Sequence, residues 1–520
     1  MMNDRKLPIG VQDFEKLRTG GNVYVDKTAY IYQLVNTDAP YFLGRPRRFG
    51  KSLLLSTLKA YFLGKKELFE GLAIAELEKE WLEYPVFHID MNIGIYTDEN
   101  SLYESLDAKL KCFEEQWGCI TELHDPATRF EAVIRHVCKQ TGRKVVVLID
   151  EYDKPLLATM EDLNANKEIR KVLKGFYGVL KSVDAYLRFV FLTGVTKFSK
   201  VSVFSDLNHL TDISMNKYFS GICGISAAEI IQYFNPEIQA LADEIGKTYE
   251  ETLAEMKKRY DGYHFAKESA DMYNPFSVLN TFYKRDFGYY WFETGTPTFL
   301  VQMLKAIDFD IPTLENDVTI SARSILDYQV ENDDPVPILY QSGYLTIKSY
   351  NDRFDEYTLG FPNEEVKYGF FNELLPVYMP KKNIQREFYV VNFIKDLLAN
   401  NVEGFMIRLK AFFAGIPYEL NNKEEKHYQT VFYLLFKLMG QFIEAEQKSA
   451  VGRADAVVIT DDTVFVFEFK LTGNSTAEKA LEQINSKGYL IPYTAGNKKL
   501  VKIGAEFSET KRGLSRWIIE

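Results

Sequence analysis

The sequence predicts a multidomain α/β protein, with a parallel sheet at its amino end, a helical middle region containing a small winged-helix-like unit, and a second α/β domain at its carboxyl end. Three observations predict it. Residues 1–220 alternate apolar runs with amphipathic stretches, as βα units do. A Gly-Lys-Ser triplet, Gly50 to Ser52, directly follows one apolar run and opens a helical pattern. Near the carboxyl end ADAVVITDDTVFVFEFKLTG, Ala454 to Gly473, reads as two strands around an Asp-Asp turn, yet it carries Asp455, Glu468 and Lys470.

A chain of 520 residues exceeds one ordinary core, so two to four domains are expected. A hydrophobic fraction of 46% and a charged fraction of 26% exclude disorder and fibrous repeats. The net charge of -11 argues against a broadly basic coat for nucleic acid, while leaving room for a local basic groove. No apolar run approaches the roughly 20 residues that span a bilayer, and MMNDRKLPIGVQDF lacks a signal-like apolar core, so no membrane partner and a cytoplasmic location are expected. Cys112, Cys119, Cys138 and Cys223 show no CxxC spacing and read as reduced structural thiols. His136 and Cys138 flank one valine, but a zinc site would need further ligands at matched spacing.

Three central strands are expected, at Ala39–Leu43, Lys144–Ile149 and Leu187–Leu192, each ending where a polar or glycine-rich segment begins. In a parallel sheet that carboxyl edge is where ligands bind. GRPRRFGKSLLLSTLKAYF, Gly44 to Phe62, has the strand-loop-helix context of a phosphate-binding P-loop. Gly50 permits close backbone approach, Lys51 reaches outer phosphates, Ser52 can hold magnesium, and the helix start adds a positive dipole end. The motif departs from GxxxxGK[ST], because Arg45 stands where the first glycine belongs. In KVVVLIDEYDKP, Asp150 is placed to organise magnesium and Glu151 to polarise an attacking water; the plain alternative is a solvated acidic turn. Thr193 ends a third strand beside that edge, as a sensor residue or an ordinary Thr-Gly strand exit. Arg47 and Arg48 suit phosphate, nucleic acid or solvent.

These segments, YVDKTAYIYQL, YFLGRPRRFGKSLLLSTLKAYF, VVVLIDEYDKPL and FLTGVTKFS, resemble the AAA-ATPase-like family of bacterial and archaeal proteins, over Leu7 to Leu210. That family carries RPRRFGKS in place of a standard Walker A motif. The resemblance implies an ATP-binding domain with Lys51, Ser52, Asp150 and Glu151 at the matching positions.

From Ser226 to Leu326 the pattern turns helical, as in AAEIIQYF and EETLAEMKKRY. ARSILDYQ then reads as a helix, GYLTIKSY and DEYTLGFP as strands around the turn NDRF, and NEEVKYGFFNELL as a helix, an order that suits a winged-helix-like module. A last unit starts near Asn383 with two helical stretches before the hairpin. The expected divisions are 1–225, 226–326, 327–382 and 383–520.

If Asp461 and Asp462 form the hairpin turn, Thr460 pairs with Thr463 and Asp455 falls opposite Glu468. Directly opposed residues share a face, and alternation adds Lys470 to it. Val457, Ile459, Val464 and Val466 floor this face, while Phe465, Phe467 and Phe469 bury the other. Facing carboxylates in a covered sheet are unfavourable alone, and a magnesium ion resolves the conflict. Such an ion beside a lysine suits in-line displacement at phosphorus; an Asp-Glu-Lys salt-bridge set is the bland alternative. Met439, Ile443 and Glu446 fall at helical spacing, which carries Glu446 toward the hairpin on the preceding helix. Ser475 to Glu478 reads as a capping box for a helix whose Ala477, Leu481 and Ile484 pack inward, with Gln483 bordering that stripe.

GRADAVV, VFVFEFK and ALEQINSKGY resemble successive motifs of the PD-(D/E)XK nuclease superfamily, in the branch fused behind the ATPase-like domain, over Tyr389 to Ile503. The resemblance implies a restriction-endonuclease-like α/β domain in which Asp455 and Glu468 are metal ligands, Lys470 is the catalytic lysine, Glu446 the helix acid and Gln483 the trailing helix residue. The combined expectation is an ATP-binding and ATP-hydrolysing protein with a magnesium-dependent nuclease domain acting on DNA, compatible with a homo-oligomer. The alternative is a signalling or mobile-element NTPase whose nuclease-like domain binds nucleic acid without cutting it.

Overall fold

The protein is described by a computed structural model at residues 5–37, 39–119, 121–197, 207, 209–292, 298–315, 318–326, 334–378, 386–414, 425–440, 444–446, 455–471, 476–508 and 513–520. The chain divides into two compact units, residues 1–295 with 313–366, and residues 296–312 with 367–520.

The first unit is built on a parallel sheet of β1 (Tyr41–Gly44), β2 (Val86–Asp90), β3 (Val145–Asp150), β4 (Leu187–Gly194) and β5 (Thr211–Asp212), in the order β2-β3-β4-β1-β5. The three expected strands are its centre. β3 is buried at every position, which explains its unbroken VVVLI run. The strand VFHID of β2 was not anticipated, since a histidine interrupts its apolar pattern. Because the chain leaves β1 for the far edge and returns through β4 to β1's side, the carboxyl ends of β1, β3 and β4 open on one crevice.

The helical middle comprises Ala227–Ile245, Tyr249–Tyr260 and Pro275–Lys284. Ser226 with Glu229 and Thr248 with Glu251 form capping boxes for the first two, and Asn274 caps the third. Ile230, Phe234, Met256, Tyr260, Val278 and Phe282 form their shared core. A short antiparallel pair, β6 (Ile225–Ser226) with β7 (Met272–Tyr273), closes this region. β8 (Val318–Ser321), β9 (Thr346–Asn351) and β10 (Glu356–Gly360) form a separate antiparallel sheet in the order β8-β10-β9.

The expected helix at ARSILDYQ does not form over its described part. Ala322–Leu326 turn directly out of β8, with the Ser324 amide donating to Ser321 Oγ at 3.2 Å, and the remaining residues lie outside those described. Pairing of β8 with β10 takes the chain first, and Ser321 then holds the turn.

The second unit carries helices Arg386–Leu398, Val402–Ala414 and Glu425–Met439 and a mixed sheet. Its strands are β11 (Glu444–Glu446), β12 (Ala456–Ile459), β13 (Thr463–Leu471), β14 (Lys499–Ser508) and β15 (Gly513–Ile519), in sequential order, with β13 and β14 parallel and the other neighbours antiparallel. One face is aromatic. Phe467 packs 5.4 Å from both Phe405 and Phe436, and Phe469 lies 4.1 Å from Phe432. The opposite face, with Val457, Val464 and Val466, is covered by Leu481 and Ile484 of the helix Ala477–Ser486 and by Tyr489. That helix is capped by Thr476, whose side chain accepts from the Lys479 amide; Ser475 lies outside the described residues. No described helix is long and apolar enough to cross a membrane, and all four cysteines are free.

Candidate functional site

Two sites emerge, one in each unit. In the first, the loop between β1 and the helix Lys51–Phe62 opens a cleft of about 370 Å3, lined by Arg47, Arg48, Lys51, Ser52, Asp150 and Glu151 among others. Gly50 caps the helix at φ 94°, a left-handed conformation that a side chain at this position would strain. Lys51 is only 4% exposed. Its ammonium donates to the carbonyls of Arg45 at 3.0 Å and Pro46 at 3.2 Å, and lies 3.3 Å from Glu151. Thr193 Oγ1 donates to Asp150 Oδ1 at 2.6 Å, so the ends of β3 and β4 are tied together by the two residues singled out on them. Glu151 sits at φ 50°, outside the comfortable range for a side-chain-bearing residue, and this turns its carboxylate toward Lys51.

Arg45, the residue in the place of the missing glycine, is 1% exposed. Its guanidinium donates to the carbonyls of Gly44 at 2.9 Å and Ser214 at 2.7 Å, reaches those of Phe219 and Ser220 at 3.4 Å, and lies 4.2 Å from the centre of the Phe265 ring. The loop is thus shaped by a buried cation. Sequence reasoning also missed Asp90 and Asn92 of the cleft wall, and Asp153. Asp153 is fully buried and accepts from the amides of Val195 at 3.0 Å and Thr196 at 2.6 Å; burial first, and then Glu151, push its carboxyl up to about 6. The repeated acid in DEYD was the available signal.

In the second unit the backbone pairs Ala456 with Phe467 and Val457 with Val466, and the Thr460 amide donates to the Thr463 carbonyl at 2.9 Å. That register sets Asp455 against Glu468. The Asp455 carboxylate accepts the Phe469 amide at 2.7 Å. Glu468 is 1% exposed, and Lys470 donates to its Oε1 at 2.7 Å. Gln483 donates to the same oxygen, while Oε2 is buried with no hydrogen-bond partner among the described residues. Burial, then Asp455, raise the carboxyl of Glu468; burial raises that of Asp455. Tyr489, which sequence reasoning passed over, has its hydroxyl 3.1 Å from the Gln483 amide nitrogen.

Glu446 is not on a helix. The helix ends at Met439, and Glu446 lies on β11 with its backbone in register with Val457. The 3.6-residue spacing of Met439, Ile443 and Glu446 ran across a change of element. Gly504, the neighbour of Glu468 on β14, lets the helix Ala477–Ser486 approach closely; a Cβ there would meet the Ala477 carbonyl and come within 2.9 Å of Leu481 Cγ.

Among the described residues no group of three or more His, Cys, Asp and Glu side chains is arranged to hold a metal ion. The pair Asp455 and Glu468 nevertheless fits a divalent cation, because an anionic oxygen buried without a donor is what such an ion satisfies.

Residues 8–204 match the family described as AAA-ATPase_like, Predicted AAA-ATPase, and residues 423–517 match PDDEXK_9, PD-(D/E)XK nuclease superfamily. Over its whole length the chain is 37% identical to the "Uncharacterized protein in vnfD 5'region" of Azotobacter chroococcum mcd 1, covering 100% of this chain and 99% of that protein. The chain belongs to the AAA-ATPase-like proteins that carry a PD-(D/E)XK nuclease superfamily domain. The solved structure titled "Structure of the Aeropyrum Pernix ORC2 protein (ADPNP-ADP complexes)" is also similar, at 10% identity and a TM-score of 0.24 over 67% of this chain and 93% of that one. In the AAA-ATPase-like domain the cleft residues named above all fall within the matched segment. In the PD-(D/E)XK domain the matched segment contains Asp455, Glu468, Lys470 and Gln483, and it begins well after the boundary near Asn383.

Proposed function

We propose that the protein binds and hydrolyses ATP in its first unit and cleaves phosphodiester bonds of DNA in its second, with magnesium at both sites. The observation that carries the nuclease reading is the Glu468 carboxylate, fixed at one oxygen by Lys470 and Gln483 and left at the other without a donor among the described residues, facing Asp455 in register. A divalent cation, when bound by Asp455 and Glu468, supplies charge neutralisation at phosphorus and a more acidic water. Lys470, half-buried and held at Glu468, offers its ammonium to a non-bridging phosphate oxygen in the transition state. Gln483 keeps the carboxylate from rotating away.

In the AAA-ATPase-like domain Lys51 exchanges its two carbonyl partners for the outer phosphates, Ser52 and Asp150 are the residues that would hold magnesium, and Glu151, freed from Lys51, orients the attacking water. Thr193 holds Asp150 in place.

The experiment incubates full-length protein with plasmid, linear DNA and RNA, with magnesium or manganese, with and without ATP, beside Lys51→Ala and Glu468→Ala. DNA cleavage that Glu468→Ala abolishes supports the nuclease reading. Retention of DNA without cleavage under every condition favours instead an NTPase with a nucleic-acid-binding second unit. Phosphate release that survives Lys51→Ala rejects the ATPase assignment.

A further inference from the structure

Three arginines crowd the P-loop, and they are used differently. Arg45 faces inward and is satisfied by carbonyls. Arg47 and Arg48 are exposed, and both line the cleft with Lys51, Asp150 and Glu151. No hydrogen bond or ion pair engages either guanidinium among the described residues; that of Arg48 lies 4.8 Å from the centre of the Phe276 ring, which borders the same cleft.

The backbone adds a second observation. Arg48 has φ 68°, in the left-handed region. An L-residue other than glycine is strained there, because its Cβ crowds the following carbonyl oxygen. The conformation is imposed from both sides. The Trp291 indole donates to the Arg47 carbonyl at 3.2 Å, and the Gly224 amide donates to the Phe49 carbonyl at 3.2 Å. The Phe49 ring is held between Tyr263, at 4.7 Å, and Phe265, at 5.4 Å. Glycine would satisfy this geometry at no cost, so the arginine is there for its side chain. Two unpaired guanidinium groups beside a P-loop lysine match a polyanion, and their planar donor forks suit phosphate oxygens in particular.

We propose that Arg47 and Arg48 bind the terminal phosphate of the nucleoside triphosphate from within their own chain, so that phosphoryl transfer needs no arginine from a second copy. This rests on the ATP-hydrolysing reading above. In the step itself the water oxygen bonds to the γ-phosphorus as the bond from that phosphorus to the β–γ bridging oxygen breaks. ADP leaves with the bridging oxygen and its electron pair, and the water proton passes to Glu151. The two arginines neutralise the charge that gathers on the γ-phosphate oxygens.

The test measures ATP and ADP affinity by calorimetry on full-length wild type, Arg47→Ala, Arg48→Ala, Arg48→Gly and Arg48→Lys, and follows ATP turnover per chain over a wide dilution series. We expect each alanine variant to weaken ATP binding by about tenfold or more with ADP affinity nearly unchanged. Arg48→Gly, which relieves the backbone strain and melts no earlier than wild type, shows the same loss, and Arg48→Lys recovers part of it. Wild-type turnover per chain stays constant on dilution to the monomer. An unchanged preference for ATP over ADP in the alanine variants, or turnover that collapses on dilution, overturns the inference while leaving ATP hydrolysis standing. Failure of the wild type to bind either nucleotide overturns the ATP reading itself.

Discussion

Lys470 donates to Oε1 of Glu468 at 2.7 Å and leaves Oε2 of that carboxylate buried with no partner among the described residues. The arrangement is unfavourable for an isolated protein and suited to one that receives a cation there. Glu468→Gln removes the buried charge and its repulsion with Asp455. We expect it to leave the metal-free protein at least as stable as wild type, because the carboxamide carries no charge to bury beside Asp455. It should also abolish the rise in melting temperature that we expect magnesium to give the wild type. Thermal melts in chelator and in magnesium check both. A Glu468→Gln protein less stable than wild type in chelator would contradict the account.

Gln483 fixes the same carboxylate from the helix Ala477–Ser486. Gln483→Ala is expected to lower magnesium affinity by about tenfold, as loss of a group that orients a ligand does, with little change in stability. Isothermal titration with magnesium, or manganese as a spectroscopic probe, measures it.

Arg45 invites a substitution that looks like a repair. Arg45→Gly restores the standard P-loop pattern, yet it strands the Gly44 and Ser214 carbonyls and opens a cavity beside Phe265. We expect a loss of about 2–4 kcal/mol of stability. Chemical denaturation of the two proteins decides the sign.

Asp153 gives stability a pH dependence. An unfolded aspartate titrates near 3.9, and the buried one is pushed up to about 6. Between those values the folded state holds the extra proton, so this group makes stability fall as pH rises from about 4 to about 6 and has no further effect above. The loss is about 3 kcal/mol at ~1.4 kcal/mol per pH unit. Asp153→Asn lacks it, so the stability of the variant relative to wild type should grow across that interval. A flat difference would mean that Asp153 keeps an ordinary carboxyl.

Much of this was legible beforehand, for identifiable reasons. A two-residue turn at Asp461 and Asp462 fixes the hairpin register, so the facing of Asp455 and Glu468 could be counted out. The strand-loop-helix at Gly44 to Phe62 was legible because glycine, lysine and serine each answer to a backbone or charge requirement there. What was hidden depended on tertiary contacts. The three residues of β11 are too short to show alternation, so Glu446 was carried along by the period of the preceding helix. An arginine in sequence reads as surface, and only the carbonyls of residues 214, 219 and 220 make Arg45 an interior residue.

Gly504 makes a single position diagnostic of the whole carboxyl-terminal site. Any side chain there displaces the helix that brings Gln483 to Glu468, although residue 504 itself carries no chemistry. A lineage that replaced this glycine could keep Asp455, Glu468 and Lys470 intact in its sequence and still have lost the arrangement they form. Among relatives of this chain, a side chain at residue 504 is therefore expected to mark the loss of that arrangement even where the charged motif is intact.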